Sequence, residues 1–288
     1  MGFIGDIAGR LRSARVRGGN GPASVGSEQR LASVRRAEGL LHVAHRNLPR
    51  EVESSGAFDD WAVAGPAFVA IVTDLAEGVI AAPPPRGRIR AEVLARSLCE
   101  YAITFAWLAG VDDQAERSKR LQSVVKDEFQ RRSRAQNQLT DQIAGQSIYG
   151  KRRGAALLER LLDEETEARF ARLEADASIP RRPNVLAAAA KADEHWMPIE
   201  EPIERVPFAL LYLLMFTDHS FTTHATVTAV SRVVSGVPPH LTVGHVELMG
   251  DADGPYGLAL IALTNTLIVA SHALGWPDRQ VIDLALER

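Results

Sequence analysis

Apolar residues recur along this chain at helical spacing, in long segments separated by clusters of glycine and proline. The pattern predicts nine helices and little strand. Strand propensity is limited to residues 241–243 and 245–248, which are predicted to form a small hairpin. The helices are expected near residues 27–47, 61–81, a third segment that ends at Gly110, 113–144, 155–177, 184–196, 203–235 and 256–274, with a short ninth helix at the end.

This pattern predicts an all-α fold, an up-and-down helical bundle whose core is formed by helices two, three, seven and eight. Residues 27–288 are expected to form a single helical domain. Residues 1–26 are expected to form a flexible basic tail, because four arginines precede the turn-forming run Gly18-Gly19-Asn20-Gly21-Pro22. A weak amphipathic helix that touches an anionic membrane is the alternative for this tail.

Residues 112–178 are predicted to form a long charged helical hairpin inserted in the bundle. Residues 117–134 carry seven cations and two anions, whereas residues 159–176 carry seven anions and three cations. A chain reversal at residues 145–150 would lay the basic block antiparallel to the acidic block. The alternative is that the basic block is an RNA-binding surface.

The amino-acid composition and the net charge limit the classes of function that the protein can have. The net charge of −3 gives no overall attraction to nucleic acid. Cys99 is the single cysteine, which excludes an internal disulfide, and it is expected to be a small core residue. No secretory signal is expected, since residues 1–20 lack an apolar core. No transmembrane segment is expected either, because the apolar helix eight contains Asn265, Ser271 and His272. We therefore expect a cytoplasmic protein. No metal-binding spacing or glycine-rich phosphate loop occurs, so no metal or cofactor is expected.

Two pairs of polar residues interrupt the apolar helices at a spacing of four. Arg96 and Glu100 lie in helix three, and Ser220 and His224 lie in helix seven. Residues four apart share a helical face, and buried polar groups need partners. We therefore expect these side chains to enter the interior and to meet between the two helices as one cluster.

The cluster has a catalytic and a structural interpretation. In the catalytic one, Arg96 contacts a phosphate through its fork of donors, oriented by Glu100, and His224 transfers protons with Ser220 within reach of its ring. In the structural one, Arg96 and Glu100 tie helix three to its neighbours, and His224 is a core residue with satisfied hydrogen bonds. The sequence leaves both interpretations open.

Three motifs lie within residues 89–235: Arg96-Ser97-Leu98-Cys99-Glu100-Tyr101, Pro183-Asn184-Val185 and Ser220-Phe221-Thr222-Thr223-His224. They resemble those of a family of uncharacterised bacterial helical proteins that is distantly similar to HEPN domains. HEPN domains are helical bundles that include ribonucleases, toxins and nucleotide-binding modules. The resemblance implies an up-and-down bundle, dimerisation and a link to RNA or phage defence. The chain departs from the ribonuclease pattern because Arg96 and His224 lie on different helices.

Two functions follow as hypotheses. The first is a HEPN-like helical protein that binds or cleaves RNA or a nucleotide in bacterial defence or stress response, with Arg96, Glu100, Ser220 and His224 as its catalytic residues. The alternative is a non-enzymatic interaction or regulatory module in which the Arg96/Glu100/His224 cluster is structural. In either case we expect a homo-oligomer that does not recognise DNA sequence.

Overall fold

The computed structural model describes residues 23–49, 60–82, 88–144, 164–199, 205–223, 234–237, 240–243 and 254–276. Helices dominate this part of the chain, so the predicted all-α character is confirmed there. The only strands among these residues are β1 (Val234–Val237) and β2 (His240–Val243). The helices are α1 (Ala23–Asn47), α2 (Trp61–Ile80), α3 (Arg88–Ala109), α4 (Gln114–Ala144), α5 (Glu164–Ala175), α6 (Val185–Trp196), α7 (Phe208–Thr223) and α8 (Gly254–Leu274).

The chain divides into two compact units. The first comprises Met1–Glu53, Ala62–Gly110 and Asn184–Arg288, and the second comprises Ser54–Trp61 and Val111–Pro183. The longer range of the second unit nearly coincides with residues 112–178, the segment that the sequence predicts to be inserted.

Helix α3 is the central helix of the first unit. It packs against α6, α7 and α8, and α8 also packs against α1 and α7. Every residue of α3 from Ala102 to Ala109 is buried, because this half of the helix is apolar on all its faces. Helix α8 is buried along most of its length between Tyr256 and Ser271. Helices α3 and α8 therefore form the buried centre of the first unit, and the predicted bundle core of helices two, three, seven and eight stays a prediction.

Helix α2 contacts α3 through aromatic rings and beside one glycine. The ring of Phe68 lies 6.0 Å from that of Tyr101 and 6.5 Å from that of Phe105, between centroids. Further along α2, a Cβ on Gly78 would lie 2.9 Å from Leu94 Cδ1. The absence of a side chain at Gly78 thus leaves room for the Leu94 side chain between the two helices.

Asp113 and Glu116 have the spacing of a capping box at the start of α4, but the box forms only in part. The Asp113 carboxylate accepts a hydrogen bond from the backbone N–H of Ala115 at 3.0 Å, as expected for an N-cap residue. Glu116 instead pairs with Arg120 Nε at 3.5 Å, one turn further along the helix. The helix start is therefore set by Asp113.

Two other helix ends are marked by one residue each. The Asn184 Oδ1 accepts from the Ala187 N–H at 2.8 Å and caps α6. Gly275 follows α8 with φ of 67°, a left-handed conformation that glycine adopts without a steric penalty.

Contacts in the second unit join α4 to the end of α5. Lys126 Nζ lies 3.4 Å from the carbonyl oxygen of Glu174 and 3.3 Å from that of Asp176. Gln130 Nε2 lies 3.5 Å from Glu174 Oε1. A cation beside the last carbonyls of a helix is stabilised by the helix dipole, so Lys126 contributes to capping α5.

The ion pairs of α4 lie mainly within the helix itself. Arg131 pairs with Asp127 at 2.9 Å, and Arg132 pairs with Glu128 at 3.1 Å. Asp127 also pairs with Arg182, which follows α5, at 3.3 Å. Residues 159–163 of the predicted acidic block lie outside the described residues, as do the side chains of residues 164–167, so the pairing of the two blocks stays a prediction there.

Two predicted helix boundaries differ from the structure, and one predicted strand has a different partner. Helix α1 begins at Ala23, inside the range predicted to be tail. The predicted helix 203–235 does not reach its end, because Val234–Val237 form a strand paired antiparallel with β2, with Val234 opposite Val243. β-Branched residues favour strands and Gly236 disfavours helix. The strand at 241–243 is confirmed but its partner is β1, and the predicted partner 245–248 lies outside the described residues.

Two described helices, α2 and α8, are long and apolar enough to cross a membrane by length and composition. Within the protein, 39% of the apolar window of α2 and 61% of that of α8 is buried. Core helices of soluble proteins meet the same criterion, so this is weak evidence for a membrane span. The packing of α8 against three helices is typical of a core helix.

Candidate functional site

Arg96 and Glu100 form the predicted pair on α3. Arg96 Nε lies 3.2 Å from Glu100 Oε1, and the two side chains are 25% and 40% exposed. The prediction that the pair enters the interior is therefore wrong, because it lies on a half-exposed face. An ion pair in contact with water contributes less than about 1 kcal/mol to stability.

The pair lies in the middle of a stripe that the first half of α3 presents to solvent. We call this surface the α3 stripe; three of its members are large apolar residues, Ile89, Val93 and Tyr101, which are 44%, 40% and 39% exposed. The apolar residues lie on both sides of the charged pair. The full stripe consists of Ile89, Val93, Arg96, Ser97, Glu100 and Tyr101.

Ser220 lies in the last turn of α7, but its side chain is outside the described residues, as is all of His224. Helices α3 and α7 pack together as predicted, whereas the meeting of the four side chains stays a prediction. Among the described side chains of α7, Leu213 and Phe216 are each 49% exposed.

Cys99 is a core residue, as predicted. It is fully buried in α3, and burial, reinforced by the nearby Glu100 carboxylate, raises the pKa of its thiol far above the ordinary value. Because the thiolate is the nucleophilic form, Cys99 is not suited to nucleophilic chemistry.

Glu92 is a buried carboxylate that the sequence analysis did not single out. It is 1% exposed and lies one turn before Arg96 on α3. Glu92, Arg96 and Glu100 follow one another at a spacing of four in the sequence. This spacing alone predicts an acidic residue one helical turn before Arg96 and another one turn after it.

The side chain of Asp193, in α6, caps the start of α7, although the two are 15 residues apart in sequence. Its carboxylate accepts from the backbone N–H groups of Phe208 at 2.7 Å and Ala209 at 2.9 Å. These are first-turn donors that lack partners within their own helix. Burial raises the pKa of Asp193 above its ordinary value, and this outweighs the opposing effects of the two N–H groups and of Arg205.

Three further side chains bond to main-chain carbonyls around the same connection between α6 and α7. Arg205, which is 6% exposed, donates to the carbonyls of Trp196 and Ile199. Trp196 Nε1 donates to the Ala106 carbonyl at 2.8 Å, and Asn265 Nδ2 donates to that of Val206 at 2.7 Å. We call Asp193, Trp196, Arg205 and Asn265 the junction network. It joins α3, α6, α7 and α8.

The described residues contain no group of three or more His, Cys, Asp or Glu side chains placed to hold a metal ion. Comparison of the chain with protein-family models, with curated proteins and with solved structures yields no match. The resemblance to HEPN-like proteins therefore stays a prediction from the three motifs alone.

Proposed function

We propose that this protein is a non-enzymatic helical interaction module that binds a protein partner through the α3 stripe. The observation that carries the proposal is the exposure of Ile89, Val93 and Tyr101 on one face of a helix whose other half is fully buried. Single exposed apolar residues are ordinary, but several on one face indicate an interaction surface.

The charged pair fits this function. Arg96 and Glu100 already bond to each other, so the stripe combines apolar contact area with two opposite charges that can set the orientation of a partner. Charges at an interface contribute to specificity and association rate more than to affinity. In this proposal the junction network and Cys99 are structural, because their polar atoms bond to main-chain groups or lie in the core.

Binding or cleavage of RNA or a nucleotide is the second candidate. The observation that favours it is that Arg96 is partly exposed and held by a carboxylate, an arrangement suited to contact with a phosphate. In that function His224 would be the acid or base. Glu92 and Glu100 weigh against it, since both are acidic and lie one turn from Arg96.

We further propose that the helices of the first unit form an up-and-down bundle and that α4 and α5 are the arms of an antiparallel charged hairpin. Contacts of Lys126 with Asp176 and of Gln130 with Glu174 support the hairpin, because they pair later positions of α4 with earlier positions near the end of α5.

Photo-crosslinking tests the interaction function. A photoreactive amino acid replaces Val93 on the α3 stripe, and in a matched control it replaces Asp74, which is exposed on α2. We expect a discrete adduct with another protein chain from position 93 that is absent from position 74. No adduct at position 93, or equal adducts at both positions, would contradict the proposal.

The second candidate is tested separately with total RNA and a panel of nucleotides. Cleavage or turnover by the wild type that is lost in His224→Ala, at an unchanged melting temperature, would establish the enzymatic function and overturn the non-enzymatic one. We expect no difference between the two proteins.

A further inference from the structure

We draw no further inference here: the strongest candidate, the exposed apolar patch that Leu213 and Phe216 form on α7, carries none because nothing in the described part of the chain shows what covers it.

Discussion

Three polar side chains in the first unit donate to main-chain carbonyls beside the ends of helices. Trp196 bonds to Ala106 in the last turn of α3, Arg205 bonds to Trp196 at the end of α6, and Asn265 bonds to Val206 before α7. The Ala106 and Trp196 carbonyls also accept backbone N–H groups, from Gly110 at 2.9 Å and from Ile199 at 3.2 Å. The side chains therefore supply a second donor to carbonyls that have two lone pairs, and loss of one would leave a carbonyl less well satisfied.

Replacement of Arg205 tests this role. Arg205→Met retains an unbranched apolar stem but removes the donors to the Trp196 and Ile199 carbonyls. We expect a loss of about 2–3 kcal/mol in the free energy of unfolding, measured with urea, because charged hydrogen bonds are lost and carbonyls stay buried. Arg131→Met is the control, since Arg131 is 65% exposed, and it should cost less than about 1 kcal/mol. Equal losses would contradict the role.

The raised pKa of Asp193 makes a pH prediction. The ordinary value is 3.8, so between pH 3.8 and the higher folded-state pKa the folded protein binds more protons than the unfolded one. The stabilisation from this group is complete below pH 3.8 and is lost as the pH rises through the folded-state pKa. Urea unfolding of Asp193→Asn should therefore lack a fall in stability that the wild type shows in this window. A wild type that gains stability relative to the variant as the pH rises there would show that the pKa is lowered instead.

Helices were predictable from the sequence wherever one residue marks their end. Asp113, Asn184 and Gly275 do so through local hydrogen bonds or backbone conformation, which depend on neighbours in the sequence. The strand Val234–Val237 was missed because four residues are too few to show a period of their own, so the preceding helical pattern was extended to residue 235.

The candidate site was predictable only in part, because spacing along the sequence does not show which neighbours cover a helix. The Arg96–Glu100 pair follows from a spacing of four, whereas its exposure depends on which neighbours cover α3. The junction network joins residues far apart in sequence, such as Asn265 and Val206, and no local pattern indicates such a contact.

Two glycines test close packing between helices. A Cβ on Gly110 would lie 3.0 Å from the Ala106 carbonyl oxygen and 3.3 Å from Trp196 Nε1, whereas a Cβ on Gly257 in α8 would meet no atom within 4 Å. Gly110→Ala should cost about 1 kcal/mol, because the Ala106 carbonyl and the Trp196 ring must give way by a few tenths of an ångström. Gly257→Ala should stabilise by about 0.5–1 kcal/mol through its helix propensity. Thermal melting of both variants tests these expectations. A Gly110→Ala variant that is more stable than the wild type would contradict the close approach at Gly110.

In the whole molecule, each of the two units is held together by its own set of contacts. The junction network and the packing of α3, α6, α7 and α8 lie within the first unit. The Lys126 contacts and the Asp127–Arg182 pair lie within the second. Since the contacts that hold α3 against α6 do not use residues 111–183, the first unit should keep its fold when that segment is replaced.

Excision of residues 111–183 tests this independence. Gly110 lies beside His195 and Trp196 at the end of α6, so a linker must run back to Asn184 along a helix of 12 residues, a distance of about 18 Å. A flexible glycine–serine linker of about 12 residues spans such a distance. We expect the shortened chain to melt in one cooperative transition and to keep the near-UV circular dichroism of its buried Trp107 and Trp196. Replacing Trp196 by Phe in the shortened chain removes the hydrogen bond to Ala106 and should lower its melting temperature. A broad, non-cooperative melt of the shortened chain itself would show that the first unit requires the second in order to fold.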